Sequence, residues 1–283
     1  MIICKTVDSL HKVLGTPVYN KATIGFVPTM GALHQGHLSL VDLSKKHCSL
    51  TVCSIFVNPT QFNDPKDFAK YPITIEQDVL LLERNQCDIL FLPSVNEMYP
   101  EGTAPKEYYD LGYLENLLEG SFRPGHFQGV CQVVHRLLDI VRPNSVFIGQ
   151  KDYQQCMVIK KLVELIGMTE TDVVIGGILR EPSGLAMSSR NMRLNDEDKA
   201  KATAIYQTLK FIEQHIQHGP LLPLLSIARE KISEAGFEKI DYISICDAST
   251  LQPIETWDGR EKLVALVAAF LHGVRLIDNQ LLN

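Results

Sequence analysis

The chain has 283 residues, 45% of them hydrophobic and 21% charged, so it can bury a sizeable core and belongs to neither the disordered nor the fibrous class. Lys and Arg number 27 against 33 Asp and Glu, which gives a formal charge of −6 at pH 7. This acidic balance argues against nucleic acid as the main partner, whereas a small anionic substrate could still bind in a locally positive pocket.

We expect neither a membrane segment nor export. The longest apolar run, 263–271, has nine residues, and a membrane-spanning helix needs about 20. Lys5, Asp8 and Lys12 interrupt the start of the chain before a signal-type apolar stretch develops. The seven cysteines are scattered and form no C-x-x-C pair, which favours reduced thiols that fill the core of a cytoplasmic protein.

The first two thirds of the sequence alternate apolar, strand-like runs with helix-like segments. The predicted strands are 23–27, 50–57, 88–92, 146–148 and 173–175. The predicted helices between them are 36–47, 73–85, 127–141 and 153–166. Continuously apolar strands separated by helices are typical of a parallel sheet covered on both faces, so we predict an α/β fold with a Rossmann-like, doubly wound sheet.

After Gly176 and Gly177 the pattern changes. Two predicted helices come before three predicted strands, at 197–218, 221–235, 242–246, 263–271 and 274–277. Helices followed by β segments indicate a smaller α+β domain. We therefore divide the chain into a Rossmann-like domain at 1–177 and a smaller α+β domain at 178–283.

Polar segments follow three of the predicted strands, at 28–37, 58–62 and 149–155. In an open parallel sheet, ligands bind beyond the carboxyl ends of the strands. The position of the three polar segments therefore predicts a binding site at the carboxyl edge of the sheet.

The first polar segment contains His34-Gln35-Gly36-His37 at the start of a helix, where N–H groups and the positive dipole end suit phosphate. Gly31 and Gly36 let backbone and phosphate approach closely. His34 and His37 face the same side and could donate hydrogen bonds to phosphate oxygens as charge develops. The alternatives are a metal site, for which no convincing third ligand lies nearby in sequence, and histidines that only pack.

Three further segments offer cations or hydroxyls. Ser188-Ser189-Arg190 can grip a triphosphate, or can be a helix cap with a solvated arginine. Lys151 could neutralise phosphate and Asp152 could hold a ribose hydroxyl or Mg²⁺, unless Asp152 only caps a strand-to-helix turn. Arg123 is a further cation candidate, or part of a Pro/Gly turn into the long helix.

Together these segments resemble the pantothenate synthetase (pantoate–β-alanine ligase) family over essentially the whole chain. The resemblance is carried, in the family's order and spacing, by 28–37, 54–62, 123–130, 147–155 and 184–190. The family belongs to a wider group of nucleotidyl transferases with an H-x-G-H signature. The resemblance implies a ligase of pantothenate and coenzyme A biosynthesis. It would use ATP and Mg²⁺ to join pantoate to β-alanine through a pantoyl adenylate, releasing AMP and diphosphate.

The resemblance also implies roles for individual residues. His37 is implied as the acid catalyst, with His34 and Lys151 as further catalytic residues. The residues implied in ATP binding are Met30, Gly31, Ala32, Leu33, His34, Gln35, Gly36, His37, Gly149, Gln150, Lys151, Asp152, Leu179, Met187, Ser188, Ser189 and Arg190.

Gln61 and Gln155 are implied to hold pantoate, and we add Arg123 as a residue that binds substrate. The resemblance further implies that the smaller domain acts as a lid and that the chain forms a homodimer.

The chain departs from the family's common pattern at three positions. Gln35 stands where Glu is frequent, Gln150 where Glu often precedes the lysine, and Ile73 where Arg often follows Tyr-Pro. The acidic stretch after Ile73 is thin and leaves Asp78 as the candidate Mg²⁺ ligand, so the metal residues stay unassigned.

Three other functions compete with the ligase. Another H-x-G-H nucleotidyl transferase would share His34 and His37 but keep the nucleotide in its product, whereas the neutral amides of Gln61 and Gln155 suit a small hydroxy acid. A nucleotide-binding sensor would not need both histidines together with Lys151. A metal hydrolase would use the two histidines as ligands.

Overall fold

The structure, a computed structural model, describes residues 1–105 and 107–283, apart from the side chains of residues 65 and 66. Contacts between residues divide the chain into two compact units. The first unit comprises Met1–Gly149 and Gln155–Gly177, and the second comprises Gln150–Gln154 and Ile178–Asn283. Five residues in the middle of the chain thus group with the second unit.

The first unit is built on a six-stranded sheet in which every strand pair is parallel, as the alternating pattern predicts. Its strands are Ile2–Cys4 (β1), Ile24–Thr29 (β2), Leu50–Ile55 (β3), Ile89–Phe91 (β4), Ser145–Gly149 (β5) and Asp172–Gly176 (β6). Their order across the sheet is β1-β4-β3-β2-β5-β6. The three-residue strand β1 was not predicted; unlike the equally short β4, which Pro93 follows closely, it has no turn residue that marks its end.

Helices connect the strands of this sheet, and four of them match predicted helices. They are Val7–Leu14 (α1), Gln35–His47 (α2), Pro65–Ala69 (α3), Ile75–Arg84 (α4), Val95–Met98 (α5), Glu119–Phe122 (α6), His126–Val141 (α7) and Tyr153–Leu165 (α8). The matching helices are α2, α4, α7 and α8. Phe26, Phe91 and Phe147, from three different strands, are fully buried in the core of the sheet.

Among the described residues, the second unit contains a three-stranded antiparallel sheet, a two-stranded one and three α-helices, besides short 3₁₀ helices. In chain order its elements are Asp196–Ala202 (α9), Ala204–His215 (α10), Gly219–Pro220 (β7), Leu222–Glu234 (α11), Lys239–Asp247 (β8), Thr256–Trp257 (β9), Leu263–Leu271 (β10) and Val274–Leu281 (β11). The apolar run 263–271 is the central strand β10, between β8 and β11, and every residue of it except Phe270 is buried, which explains why both of its faces are hydrophobic.

The predicted helix 197–218 is instead two helices separated at Thr203. The Thr203 hydroxyl donates to the carbonyl of Ala200 at 2.7 Å, a bond of the kind that bends helices. Within the described residues, no helix is long and apolar enough to cross a membrane.

Candidate active site

The polar segments predicted to form the site leave the sheet of the first unit at one edge. The strand β2 lies between β3 and β5, and neighbouring parallel strands end at the same edge of a sheet. Segment 30–37 follows β2, segment 58–61 follows β3, and Gln155 lies half-buried in the first turn of α8 after β5.

His34 and His37 form a capping box at the start of α2. The Nδ1 of His34, the N-cap residue, accepts from the N–H of Gly36 at 3.2 Å, and the Nδ1 of His37 accepts from the N–H of His34 at 3.3 Å. A neutral imidazole whose Nδ1 accepts carries its proton on Nε2. The two ring centroids are 4.1 Å apart, so two Nε2–H donors lie side by side at a helix N-terminus.

The electrostatics of this helix start favour an anion. The first turn of α2 holds no acidic residue, because Gln35 stands between the histidines. The positive end of the helix dipole therefore adds to the two imidazole donors without an opposing carboxylate in that turn.

Asp78 of α4 anchors the loop between β2 and α2. Its side chain is buried, and its two carboxylate oxygens accept from the N–H groups of Ala32 at 2.9 Å and Leu33 at 2.8 Å. Thr74 donates a further hydrogen bond at 3.1 Å. The structure thus gives Asp78 a different role from the Mg²⁺ ligand considered above.

Gly31 fits this anchored loop for a steric reason. Its φ is +79°, and a Cβ there would lie 3.0 Å from the carboxylate of Asp78 and 3.1 Å from the side chain of Ile55. A larger residue would strain the loop and push against its anchor.

The amide of Gln61 has a fixed orientation. Its Oε1 accepts from the Nδ2 of Asn58 at 3.3 Å, and its Nε2 lies 2.9 Å from the sulfur of Met30. Asn58 is fully buried and is itself held by the hydroxyl of Tyr99 at 2.9 Å. The side chain of Asn58 caps this turn, and that of Gln61 presents its NH₂ group on the Met30 side.

The backbone of Gln61 is held by a second group, His126, at the start of α7. Because a carbonyl only accepts, the Nδ1 of His126 carries the proton and donates to the carbonyl of Gln61 at 2.8 Å. The Nε2 of His126 then accepts from the guanidinium of Arg123 at 3.1 Å. Arg123 also lies near Asn63, at 3.5 Å, and its guanidinium is 3.7 Å from the carboxylate of Glu119.

In the second unit, Lys151 lies in a short 3₁₀ turn, Gln150–Asp152. The Nζ of Lys151 is 3.9 Å from the carboxylate of Asp152, and the lysine side chain is 17% exposed. Asn279 of β11 donates from Nδ2 to the carbonyls of Gln150 and Lys151, both at 2.9 Å. The 3₁₀ turn that carries the lysine is therefore fixed by the last strand of the chain.

The serine–arginine segment of the second unit is a second 3₁₀ helix, Ser189–Arg193. Ser188 caps this helix, because its hydroxyl accepts from the N–H of Arg190 at 3.3 Å. The N–H of Met187 donates to the carbonyl of Leu179 at 3.0 Å, which pairs these two predicted ATP contacts across the loop.

The described residues do not fit a resident Mg²⁺ site. Among them, no group of three or more His, Cys, Asp or Glu side chains is placed to hold a metal ion. Mg²⁺ prefers oxygen ligands and usually reaches ATP sites through substrate phosphates, water and one or two carboxylates. Asp78 is engaged with the loop backbone, and Asp152 with Lys151.

None of the cysteines is a predicted site residue, although the thiol of Cys156 donates to the carbonyl of Gly149 at 3.3 Å. All seven are free thiols, as predicted, and all but Cys48 are buried. Burial raises the pKa of the Cys87 and Cys131 thiols to about 12, so these groups stay protonated at neutral pH. They fill the core.

Comparison with known proteins identifies the family to which the chain belongs. The family profile described as pantoate-beta-alanine ligase matches residues 2–281. The chain belongs to the pantoate–β-alanine ligase family. Two curated relatives of this ligase are named pantothenate synthetase. The one from Cytophaga hutchinsonii is 42% identical over 281 residues, covering 99% of this chain and 98% of its own. The one from Pseudothermotoga lettingae is 43% identical over 287 residues, covering 100% and 99%.

Solved structures of ligases in this family have the same fold. The pantothenate synthetase of Thermus thermophilus aligns with a TM-score of 0.91 at 38% identity, covering 100% of this chain and 99% of its own. The ligase of Francisella tularensis, complexed with beta-gamma ATP and beta-alanine, aligns with a TM-score of 0.82 at 38% identity, covering 99% and 97%. These matches confirm the resemblance found in the sequence and the predicted fold class.

The predicted residues of this ligase are divided between its two units. The first unit holds Met30, Gly31, Ala32, Leu33, His34, Gln35, Gly36, His37, Gln61, Arg123, Gly149 and Gln155, and the second holds Gln150, Lys151, Asp152, Leu179, Met187, Ser188, Ser189 and Arg190. Sequence patterns did not reveal the supporting residues Asn58, His126 and Asn279. The only signal for Asn58 and His126 was their place beside Gln61 and Arg123 in the segments that carry the resemblance.

Proposed function

We propose that this ligase condenses pantoate with β-alanine in two steps. In the first, the pantoate carboxylate attacks the α-phosphorus of ATP, which forms pantoyl adenylate and releases diphosphate. In the second, the β-alanine amine attacks the acyl carbon, the amide bond forms, and AMP leaves. Adenylation is needed because a free carboxylate is a poor acyl donor. The observation that carries the proposal is the pair of Nε2–H donors at the N-terminus of α2.

The imidazole pair acts on the first step. As the bond to diphosphate breaks, negative charge gathers on the departing oxygens. We propose that His37 supplies the acid hydrogen bond through Nε2 and that His34 supplies a second donor. Because both Nδ1 atoms are engaged by the helix start, neither ring has to reorient when charge develops.

Lys151 and Arg190 supply positive charge to the phosphates in this proposal, and Ser188 and Ser189 supply hydroxyls. The rest of the proposed ATP site consists of glycines, apolar residues and the three polar residues Gln35, Gln150 and Asp152, and its glycines let the nucleotide approach closely. These proposed contacts are Met30, Gly31, Ala32, Leu33, Gln35, Gly36, Gly149, Gln150, Asp152, Leu179 and Met187.

Gln61 and Gln155 are the proposed pantoate contacts. Because Asn58 donates to the Oε1 of Gln61, that oxygen is engaged, and the NH₂ group uses one hydrogen towards the sulfur of Met30. The second hydrogen of an NH₂ group can donate to a carboxylate or hydroxyl, which is what a small hydroxy acid offers. We propose Arg123 as the substrate-binding cation that balances carboxylate charge in the same unit.

Three further features belong to the proposal. Mg²⁺ enters with the triphosphate as MgATP, which agrees with the lack of a resident site among the described residues. The ligase works in the cytoplasm, where its free thiols stay reduced. It assembles as a homodimer, as the resemblance to the family implies.

The test is an assay of AMP and diphosphate with MgATP, pantoate and β-alanine, in which each component is left out in turn. We expect diphosphate when ATP and pantoate are present, and stoichiometric AMP and pantothenate only when β-alanine is added. A nucleotidyl transferase that keeps the nucleotide in its product would release no AMP, and a sensor would release neither product. Either result would contradict the proposal.

A further inference from the structure

We propose that Asp278 and Asn279, adjacent residues of β11, are positioning residues for both ATP-binding segments of the second unit, 150–152 and 184–190. The inference rests on the proposed function, because those segments take their role from it. No motif in the sequence analysis pointed to this pair, and both side chains are buried.

Asn279 holds the segment that carries Lys151. Its Nδ2 donates to the carbonyls of Gln150 and Lys151, both at 2.9 Å, and its Oδ1 accepts from the Nε2 of Gln150 at 3.1 Å. Both hydrogens of the NH₂ group are thereby used, which fixes the orientation of the amide. Three bonds from one buried side chain thus define the path of the short turn that aims the lysine.

Asp278 holds the other segment through Arg180. The guanidinium of Arg180 binds the Asp278 carboxylate with two hydrogen bonds, at 2.5 and 3.1 Å. The same guanidinium donates to the carbonyl of Gly184 at 3.2 Å and lies 4.0 Å from the centroid of the Tyr206 ring. The start of the serine–arginine segment is thereby fixed to β11.

The two contacts are joined at the strand itself. The N–H of Asn279 donates to Oδ1 of Asp278 at 2.8 Å, so the two side chains form one connected network. A displacement of β11 would move both ATP-binding segments together. Catalysis of phosphate chemistry depends on such positioning, and a misplacement of about 1 Å can cost about 10²-fold in rate.

The network also gives Gln150 a specific role. A glutamine donates to the Oδ1 of Asn279, whereas a glutamate at the same position has no hydrogen to donate. The departure of this chain from the family's common Glu thus adds one hydrogen bond between the lysine segment and β11.

A purely structural role predicts a different outcome from a positioning role. The neighbouring Gln280 supplies the control, because its amide donates to Glu213 and to the carbonyl of Leu281 and contacts neither ATP-binding segment. If Asn279 matters only for packing, its loss should lower the melting temperature and weaken all substrates alike. If it positions Lys151, ATP should be affected selectively.

The experiment compares Asn279→Ala, Asn279→Asp and the control Gln280→Ala in steady-state assays and in calorimetric titrations with a non-hydrolysable ATP analogue. We expect Asn279→Ala to weaken the analogue and slow diphosphate release by about 10-fold or more, with the KM for pantoate within about twofold of the wild type. Asn279→Asp should be worse, because its oxygen would face two carbonyl oxygens. Gln280→Ala should match the wild type.

Normal analogue affinity in Asn279→Asp would overturn the inference, as would equal losses for ATP and pantoate. If Asn279→Ala or Asn279→Asp fails to fold, Asn279→Ser is judged by the same criterion, because its short hydroxyl cannot bridge both carbonyls. The two proposals fail separately. A wild type that makes no pantothenate contradicts the proposed function, while the analogue titrations still decide whether Asn279 positions the ATP segment.

Discussion

Two regions of the molecule hold their functional groups in different ways. At the start of α2, the rings of His34 and His37 accept from the backbone N–H groups of Gly36 and His34, all within four consecutive residues. At the 3₁₀ turn of Lys151, the support comes from Asn279, which lies 128 residues further along the chain. The first region is fixed by local chemistry, and the second by long-range folding of its unit.

This difference has a consequence for function. A locally fixed pair forms wherever the helix forms, so substitutions there should change chemistry and leave stability nearly intact. A group fixed from a distant strand depends on the whole unit, so its function and its folding are linked. Four substitutions test that distinction.

His37→Ala should have the largest effect. If the Nε2–H of His37 donates as the bond to diphosphate breaks, turnover should fall by about 10²–10⁴-fold, the usual contribution of an acid–base group. The measurement is the rate of diphosphate release with ATP and pantoate, together with a thermal melt.

His47→Ala is the matched control, since His47 ends the same helix and its ring contacts the carbonyl of Leu43 and the edge of the Phe147 ring, neither of which is a proposed ligand contact. Near-normal turnover in His37→Ala would contradict the proposed acid role. A large drop in its melting temperature would contradict local fixation.

Gln61→Glu should have the second largest effect, which is weaker binding of pantoate. The change keeps the oxygen that accepts from Asn58 but replaces the NH₂ group on the Met30 side with a second oxygen, beside an anionic substrate. A lost donor at a desolvated site costs about 1–3 kcal/mol, so the KM for pantoate should rise by about 5- to 150-fold. The KM for ATP should change little.

Gln132→Glu serves as the control, because this amide of α7 lies near the carbonyls of Thr103 and Ala104 and belongs to no proposed contact. Equal losses for ATP and pantoate in Gln61→Glu would show that Gln61 acts through stability alone.

Asp78→Asn tests an anchor that combines local and long-range fixation. Asp78 lies in α4 and supports the loop that precedes α2. One oxygen becomes an NH₂ group that faces a backbone N–H of Ala32 or Leu33, and the buried donor loses its acceptor. The free energy of unfolding should fall by about 1–3 kcal/mol, measured by urea denaturation. Glu76→Gln, at an exposed position in the first turn of the same helix, should change it much less. Unaltered stability in Asp78→Asn would show that the loop holds without this anchor.

Much of the fold could be predicted because its strands and helices are long and strongly patterned. The run 263–271 is the strand β10, and the apolar recurrence in 127–141 is the helix α7. The two-residue β7 and β9 carry too few residues to show a period, and the three-residue β1, unlike the equally short β4, has no turn residue that marks its end. The bend at Thr203 depends on one hydroxyl, which no periodicity reports.

The candidate site divides in the same way. His34, His37 and Gln61 stand in short segments with a recognisable order, so a sequence alone can point to them. The role of Asp78 could not be predicted, since its partners Ala32 and Leu33 lie more than 40 residues away and only folding brings them together. The same holds for Asn279, which is the middle one of three consecutive polar residues in β11 and gave no local signal.

Gln150→Glu should have the smallest effect and is the sharpest test of long-range fixation. It restores the residue that is common in the family and changes one atom group, from the NH₂ that donates to Asn279 to an oxygen that cannot. A single net hydrogen bond is worth about 0.5–1.5 kcal/mol, so ATP affinity should fall by about 2- to 10-fold. The measurement is calorimetric titration with the ATP analogue.

Gln150→Glu in an Asn279→Ala background is the control, because the partner oxygen is absent there and the same change should then cost less. If the two backgrounds respond equally, the two amides are not coupled, and Lys151 is held by the backbone bonds of Asn279 alone.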